Sequence, residues 1–133
     1  MSGIDECLVE AMAVPGARGA ALVEWVSGLA LGQAGDAPGG DHEGMAAETA
    51  EFARAAAEHP VFAAAEQAPD GTPTQPPVED VIVVTGAGYH VLRFVPVPYG
   101  DGVFLHLWLD RAQANLALAM LRLRELAERL VLA

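Results

Sequence analysis

Between Glu79 and Leu109 the chain contains three short apolar segments, DVIVVTG, YHVLRFVPVP and GVFLHLWLD, divided by glycine-bearing breaks. No other feature restricts the fold so tightly. Val, Ile, Phe and Trp crowd each segment, and each is too short for a typical helix, so each reads as a strand. The breaks Gly86-Ala87-Gly88 and Tyr99-Gly100-Asp101-Gly102 suit hairpins in which positive φ is needed, which predicts a three-stranded antiparallel meander. In the last strand Val103, Leu105, Leu107 and Leu109 point one way, with Phe104, His106 and Trp108 opposite. In the middle strand Tyr89, Val91, Arg93 and Val95 alternate with His90, Leu92 and Phe94. Neither set is polar. A sheet with one wet face alternates apolar with polar, so both faces of this one must be covered, with flanking helices as the cover.

The rest of the chain supplies those helices. Ser2 to Val14 reads as a first helix, with Ser2 and Asp5 as a capping pair, Ile4, Leu8, Ala11 and Met12 as a stripe, and Pro15-Gly16 as its end. Gly19 to Trp25 and Leu29 to Gln33 read as two strands around a Val26-Ser27-Gly28 turn. A glycine- and proline-rich loop, Ala34 to Gly40, leads to a helix from Asp41 to His59, with Asp41 as N-cap and Met45, Thr49, Phe52 and Ala56 on one face. Pro60 ends or kinks it, and Val61 to Gln67 add a turn or two. Ala68 to Pro77 is a proline-rich connector. After the meander, Asp110 is read as the cap of a last helix from Arg111 to about Leu132, with Leu116, Met120, Leu123, Ala127 and Leu130 on one stripe. The expectation is a single α+β domain spanning residues 1–133, in the order α-β-β-α-β-β-β-α.

Charge narrows the partners. Eighteen acidic residues face seven arginines and no lysine, a formal net charge of −11. A field of that sign repels phosphate backbones and anionic lipid, so neither nucleic acid nor a membrane surface is expected as a partner. No apolar run approaches the length of a membrane helix. The N-terminus has Asp5 and Glu6 where an export signal carries basic residues, and the sole cysteine, Cys7, fits a reducing compartment; a cytoplasmic location is expected. Residues 110–133 hold four arginines against Asp110, Glu125 and Glu128, so the acid is concentrated in the first 109 residues, where three arginines face fifteen acids.

No chemical signature in the chain is complete. Val83-Val84-Thr85-Gly86-Ala87-Gly88 resembles the first strand and turn of a short-chain dehydrogenase, but a strand follows where pyrophosphate needs a helix N-terminus. The missing lysine also removes a P-loop and Schiff-base chemistry. His42, His59, His90 and His106 form no i, i+4 pair or Cys/His knuckle; His90 and His106 are read as cross-strand neighbours held by hydrogen bonds rather than as metal ligands. Ser27 and Cys7 lack a nucleophile elbow or a local base, and the 35–40 loop lacks a phosphate cradle's ending. No catalytic residue, metal site or cofactor is expected.

The order of elements, with certain stretches, resembles the roadblock/LC7 family, in particular its free-standing actinobacterial members. The stretches are Gly19-Ala20-Ala21-Leu22-Val23 with Ser27-Gly28-Leu29-Ala30-Leu31, Glu79-Asp80-Val81-Ile82-Val83-Val84, Tyr89 through Pro96, and Phe104 through Arg111 leading into Ala114-Asn115-Leu116-Ala117. The resemblance covers most of the chain outside the two glycine- and proline-rich loops. It implies a five-stranded antiparallel, profilin-like sandwich, with the first and last helices on one face and the middle helix on the other. It also implies a homodimer formed through Val81, Ile82, Val83 and Val84 and through Phe52, Ala53 and Ala56 of the middle helix. The implied role is a non-catalytic scaffold or regulator in signalling, with a Ras-like small GTPase as partner. Glu48, Glu51 and Glu58 on the middle helix are the expected partner-facing residues, Glu51 and Glu58 lying two turns apart on one face. A small-molecule-sensing α/β domain is the reading from another class, supported if a deep apolar pocket is present.

Overall fold

The computed structural model describes residues 3–63, 78–95 and 102–132. Helix α1 (Gly3–Met12) is followed by strands β1 (Ala17–Glu24) and β2 (Leu29–Gly35), helix α2 (His42–Glu58), a single turn α3 (Pro60–Ala63), strands β3 (Asp80–Val84), β4 (Gly88–Phe94) and β5 (Val103–Asp110), and helix α4 (Leu116–Leu132). The five strands form one antiparallel sheet in the order β2-β1-β5-β4-β3. This is the α+β sandwich expected from the sequence, with β5 closing the sheet against β1 and leaving β2 and β3 as its edges.

Helices α1 and α4 cover one face. Cys7, Leu8 and Ala11 of α1 and Ala119, Leu123, Leu126, Ala127 and Leu130 of α4 pack on Ala20, Leu22, Val91, Val103, Leu105, Leu107 and Leu109. Helix α2 covers the other face, where Ala46, Ala50, Ala53 and Ala57 meet Ala21, Val23, Leu92, Phe94 and Phe104. The alternation of β4 and β5 side chains between the two covered faces follows the sequence reading.

Three local expectations are corrected. The core-facing line of α2 is Ala46-Ala50-Ala53-Ala57, and the predicted face of Met45, Thr49, Phe52 and Ala56 lies beside it, with Phe52 turned outward. Here the sheet supplies the bulk through Leu92, Phe94 and Phe104, so the helix facing it must be small for the layers to close at interior density. The last helix starts later than predicted. Asp110 is still in the ladder, its N–H donating to the Gly16 carbonyl at 2.8 Å, and its carboxylate accepts from the Ala112 N–H at 3.0 Å to close only a turn. The helix cap is Asn115, which accepts from the Leu118 N–H at 3.1 Å. Finally, the Gly86-Ala87-Gly88 turn uses no positive φ. The Thr85 hydroxyl spans it instead, accepting from the Gly88 N–H at 3.0 Å and donating to the Gly88 carbonyl at 3.1 Å. Gly88 is required for space: a Cβ there would lie 2.4 Å from the Leu109 carbonyl oxygen.

Asp41 caps α2 as expected, accepting from the Gly44 N–H at 3.1 Å, and Pro60 opens α3. The Ser2 cap, the connector 68–77 and most of the 99–102 turn lie outside the described residues.

Candidate interaction surface

The residues expected to meet a partner form two strips: edge strand β3 and the outer side of α2. Strand β3 is regular, pairing with β4 residue for residue from Asp80↔Arg93 through Val81↔Leu92, Ile82↔Val91 and Val83↔His90 to Val84↔Tyr89. Period two divides its side chains. Val81 leans on the cluster under α2, and Val83 is half-buried. Ile82 and Val84 project from the opposite face, where they keep 36% and 54% of their surface exposed. Among the described residues no strand pairs with the outer side of β3, the usual liability of an edge.

On α2, Phe52 is 48% exposed and Ala56 half-buried, while Glu48, Glu51 and Glu58 are exposed. Ala53 does not belong to this strip. It is fully buried beneath α2 against the chain's own sheet, because i and i+1 on a helix face directions about 100° apart. Val61 and Phe62 of α3, which sequence reasoning did not single out, add exposed apolar surface where the chain leaves α2. Their signal was available: two large apolar residues follow the proline that stops an otherwise alanine-rich helix.

Residues considered for chemistry are assembled differently. His90 and His106 meet through Nδ1 and Nε2 at 2.9 Å, one ring donating and the other accepting. They are diagonal rather than directly opposite, since His90 pairs with Trp108 and Leu92 with His106. The Trp108 ring stacks parallel to His90, and the Arg18 guanidinium lies 3.9 Å from the Trp108 ring centre. Burial holds the His106 imidazole far down, at about 3, with the neighbouring His90 adding to the shift; burial also lowers His90. Both rings are therefore neutral at pH 7, and the pair is a hydrogen-bonded core contact. Among the described residues no three His, Cys, Asp or Glu side chains converge in a way that suits a metal ion. Burial raises the Cys7 thiol to about 11, so it is not a nucleophile at neutral pH.

Of the grooves among the described residues, whose volumes run from about 320 to 410 Å³, two lie beside residues considered for chemistry. One, about 410 Å³, is bordered by Arg18, Asp36, His42, Trp108 and glycines of the 35–40 loop. The other, about 320 Å³, lies between α1 and α4 over Cys7 and is rimmed by the Glu10–Arg129 ion pair. Both open to solvent and are bordered by charge. Neither is the deep apolar pocket a small-molecule sensor calls for.

No sequence model of a known family matches the chain, and no curated protein matches it in sequence. Solved structures do match in fold. A roadblock/LC7 domain from Streptomyces avermitilis superposes with a TM-score of 0.71 at 19% identity, over 96% of this chain and 94% of that one. MglB of Myxococcus xanthus gives 0.69 at 19% identity, over 97% of this chain and 82% of that one. MglC of Myxococcus xanthus gives 0.56 at 18% identity, over 96% of each chain.

Proposed function

Proceeding from the roadblock/LC7 fold, which this chain has, we propose that the protein is a non-catalytic homodimeric interaction module that scaffolds or regulates a Ras-like small GTPase in the cytoplasm. The observation that carries the reading is edge strand β3, whose outer side meets no further strand among the described residues, with Ile82 and Val84 exposed, together with the outward Phe52 of α2 and Val61 and Phe62 of α3. Two copies related by a two-fold axis join their β3 strands into a ten-stranded sheet and bring their α2 helices side by side, and the contact is self-complementary. Val81, Val83 and Ala56 stand at the margin of that seam, half-buried in the single chain.

Duplication also doubles the acidic strip of Glu48, Glu51 and Glu58. Around it, a chain of net charge −11 attracts a basic partner surface and speeds its approach. The action on the GTPase is by differential binding: whichever nucleotide state fits the dimer better becomes the populated one. The histidines, Cys7 and Ser27 take no part.

Sedimentation equilibrium tests the assembly. A two-chain mass at tens of micromolar, an order-of-magnitude choice for a modest interface, is expected, and a monomer at that concentration overturns the dimer. Titration with a small GTPase loaded with GDP or with a non-hydrolysable GTP analogue tests the partner. Equal affinity for both forms excludes a role in biasing its state.

A further inference from the structure

Strand β3 is held to its neighbour by polar side chains at its two ends, with an apolar stretch between them. At the turn end Thr85 bonds Gly88 through both its backbone and its hydroxyl. At the other end Arg93 of β4, only 6% exposed, donates through Nη1 to Asp80 Oδ2 at 2.8 Å; Glu79 stands 3.7 Å from the same nitrogen. Between these ends the side chains discriminate poorly. Val81 and Val83 share one face and Ile82 and Val84 the other, differing by a methylene at most. A shift of two residues keeps every side chain on its face. It puts Val83 opposite Leu92 and Val84 opposite Val91, which packing barely resists. It also puts Ile82 opposite Arg93, and a buried guanidinium without its carboxylate is a severe penalty. The turn resists the shift less than its length suggests, because its φ angles lack the positive values of the two-residue turns that match strand twist.

From this geometry we infer that the buried Asp80–Arg93 pair specifies the register of β3 on β4, and so determines which residues the free edge presents at the height of α2. The inference rests on the homodimer reading for its consequence, though the register itself belongs to one chain. A two-residue shift displaces β3 along the sheet by about 7 Å. The edge then no longer lines up with Phe52, and a seam built from a strand and a helix together loses one of its halves. The pair is not saturated: Arg93 Nε and Asp80 Oδ1 are buried without a hydrogen-bond partner among the described residues. Such an under-satisfied ion pair is a poor source of stability, so specificity is the better account of its presence.

The decisive variant removes the charges together. Asp80→Val with Arg93→Met in the full chain leaves no orphaned charge and is expected to keep the melting temperature. Inter-strand NOEs between Val81 and Leu92 should then weaken, with a second set appearing between Val83 and Leu92. Amide protection across β3 should fall at least about tenfold. Reversal of the pair, Asp80→Arg with Arg93→Asp, should restore the single set. Thr85→Val, which removes the hydroxyl at the other end, should change protection locally and leave one register. Unchanged NOEs and protection in the doubly apolar variant overturn the inference, as does a second register in the reversed pair. Wild-type sedimentation separates the two readings. If the wild-type chain is a monomer, the dimer fails while the register result stands. If it is a dimer and the doubly apolar variant dimerises as tightly in a shifted register, the link between them fails.

Discussion

The two edges of the sheet are exposed in different ways. Strand β2 is irregular: its pairing with β1 slips between Leu22 and Val23, a bulge that leaves Leu31 out of the ladder, and Gly35 sits at φ 69°. Helix α1 reaches over it so closely that a Cβ on Gly32 would lie 2.8 Å from Ile4 and Leu8. Bulges, kinks and an overlying helix are the usual ways of blunting an edge. Among the described residues β3 shows no bulge or kink, and no helix lies over Ile82 and Val84 on the α1/α4 side. The strand is in register along its whole length, and its four apolar residues are β-branched. Exposed hydrophobic area alone misses this distinction, since Leu29 and Leu31 on β2 are 64% and 43% exposed. Regularity separates an edge that is ready to pair from one that is not.

The largest expected effect breaks that comparison outright. Val84→Lys puts a charge on the exposed apolar strip of β3 and should weaken the proposed β3–β3 dimer at least 100-fold, about 2.8 kcal/mol, by sedimentation. The matched change Leu31→Lys on β2 should leave the mass unchanged. Equal effects from the two lysines would erase the difference between the edges.

Next in size is a contrast between neighbours on α2. Ala53→Leu forces bulk between the helix and Phe94 and Phe104, and should cost about 1–3 kcal/mol in urea unfolding. Phe52→Ala, one residue away and outward, should change monomer stability by less than about 0.5 kcal/mol while loosening the dimer. The reverse ranking would mean that α2 sits rotated from the position described.

A third measurement moves the whole sheet and neither edge. His106 has its folded value lowered from 6.5 to about 3, so the unfolded chain binds the proton more readily between those limits. Stability is fully present above about 6.5 and falls as the pH drops, by on the order of 1 kcal/mol per unit from this group. His106→Leu should flatten that acid limb in thermal melts between pH 6.5 and 4 without altering the oligomeric mass at pH 7. A limb of unchanged slope would place the acid sensitivity elsewhere.

The smallest effect concerns encounter. Glu51→Arg with Glu58→Arg should slow association with the small GTPase proposed as partner several-fold at low salt, and the difference should fade as salt is raised. Dimer mass and melting temperature should hold. Unchanged on-rates would shift attention from α2 to α4, whose Leu121 is 49% exposed beside Arg122 and Arg124.

Much of this molecule is decided by local pattern. Alternation in the 79–109 stretch dictated the meander and assigned the faces of Leu92, Phe94, Phe104 and His106, because side-chain direction in a strand depends only on parity. Asp41 and Pro60 marked the ends of α2, since capping and the missing proline N–H act within one turn. The absence of lysine and the net charge of −11 followed from composition and bound the possible partners. Tertiary structure decided what depends on a neighbour. Which face of α2 is inward was settled by the bulk of Phe94 and Phe104 across from it, so the helix turned its alanines in and Phe52 out, against the order that hydrophobicity alone suggests. The start of α4 was settled by Asp110 remaining in the ladder beside Gly16. The pairing of Asp80 with Arg93, and the contrast between a bulged β2 and a straight β3, exist only once strands lie side by side. Parity and capping are properties of a few consecutive residues; packing volume, register and edge regularity belong to pairs of segments far apart in the chain.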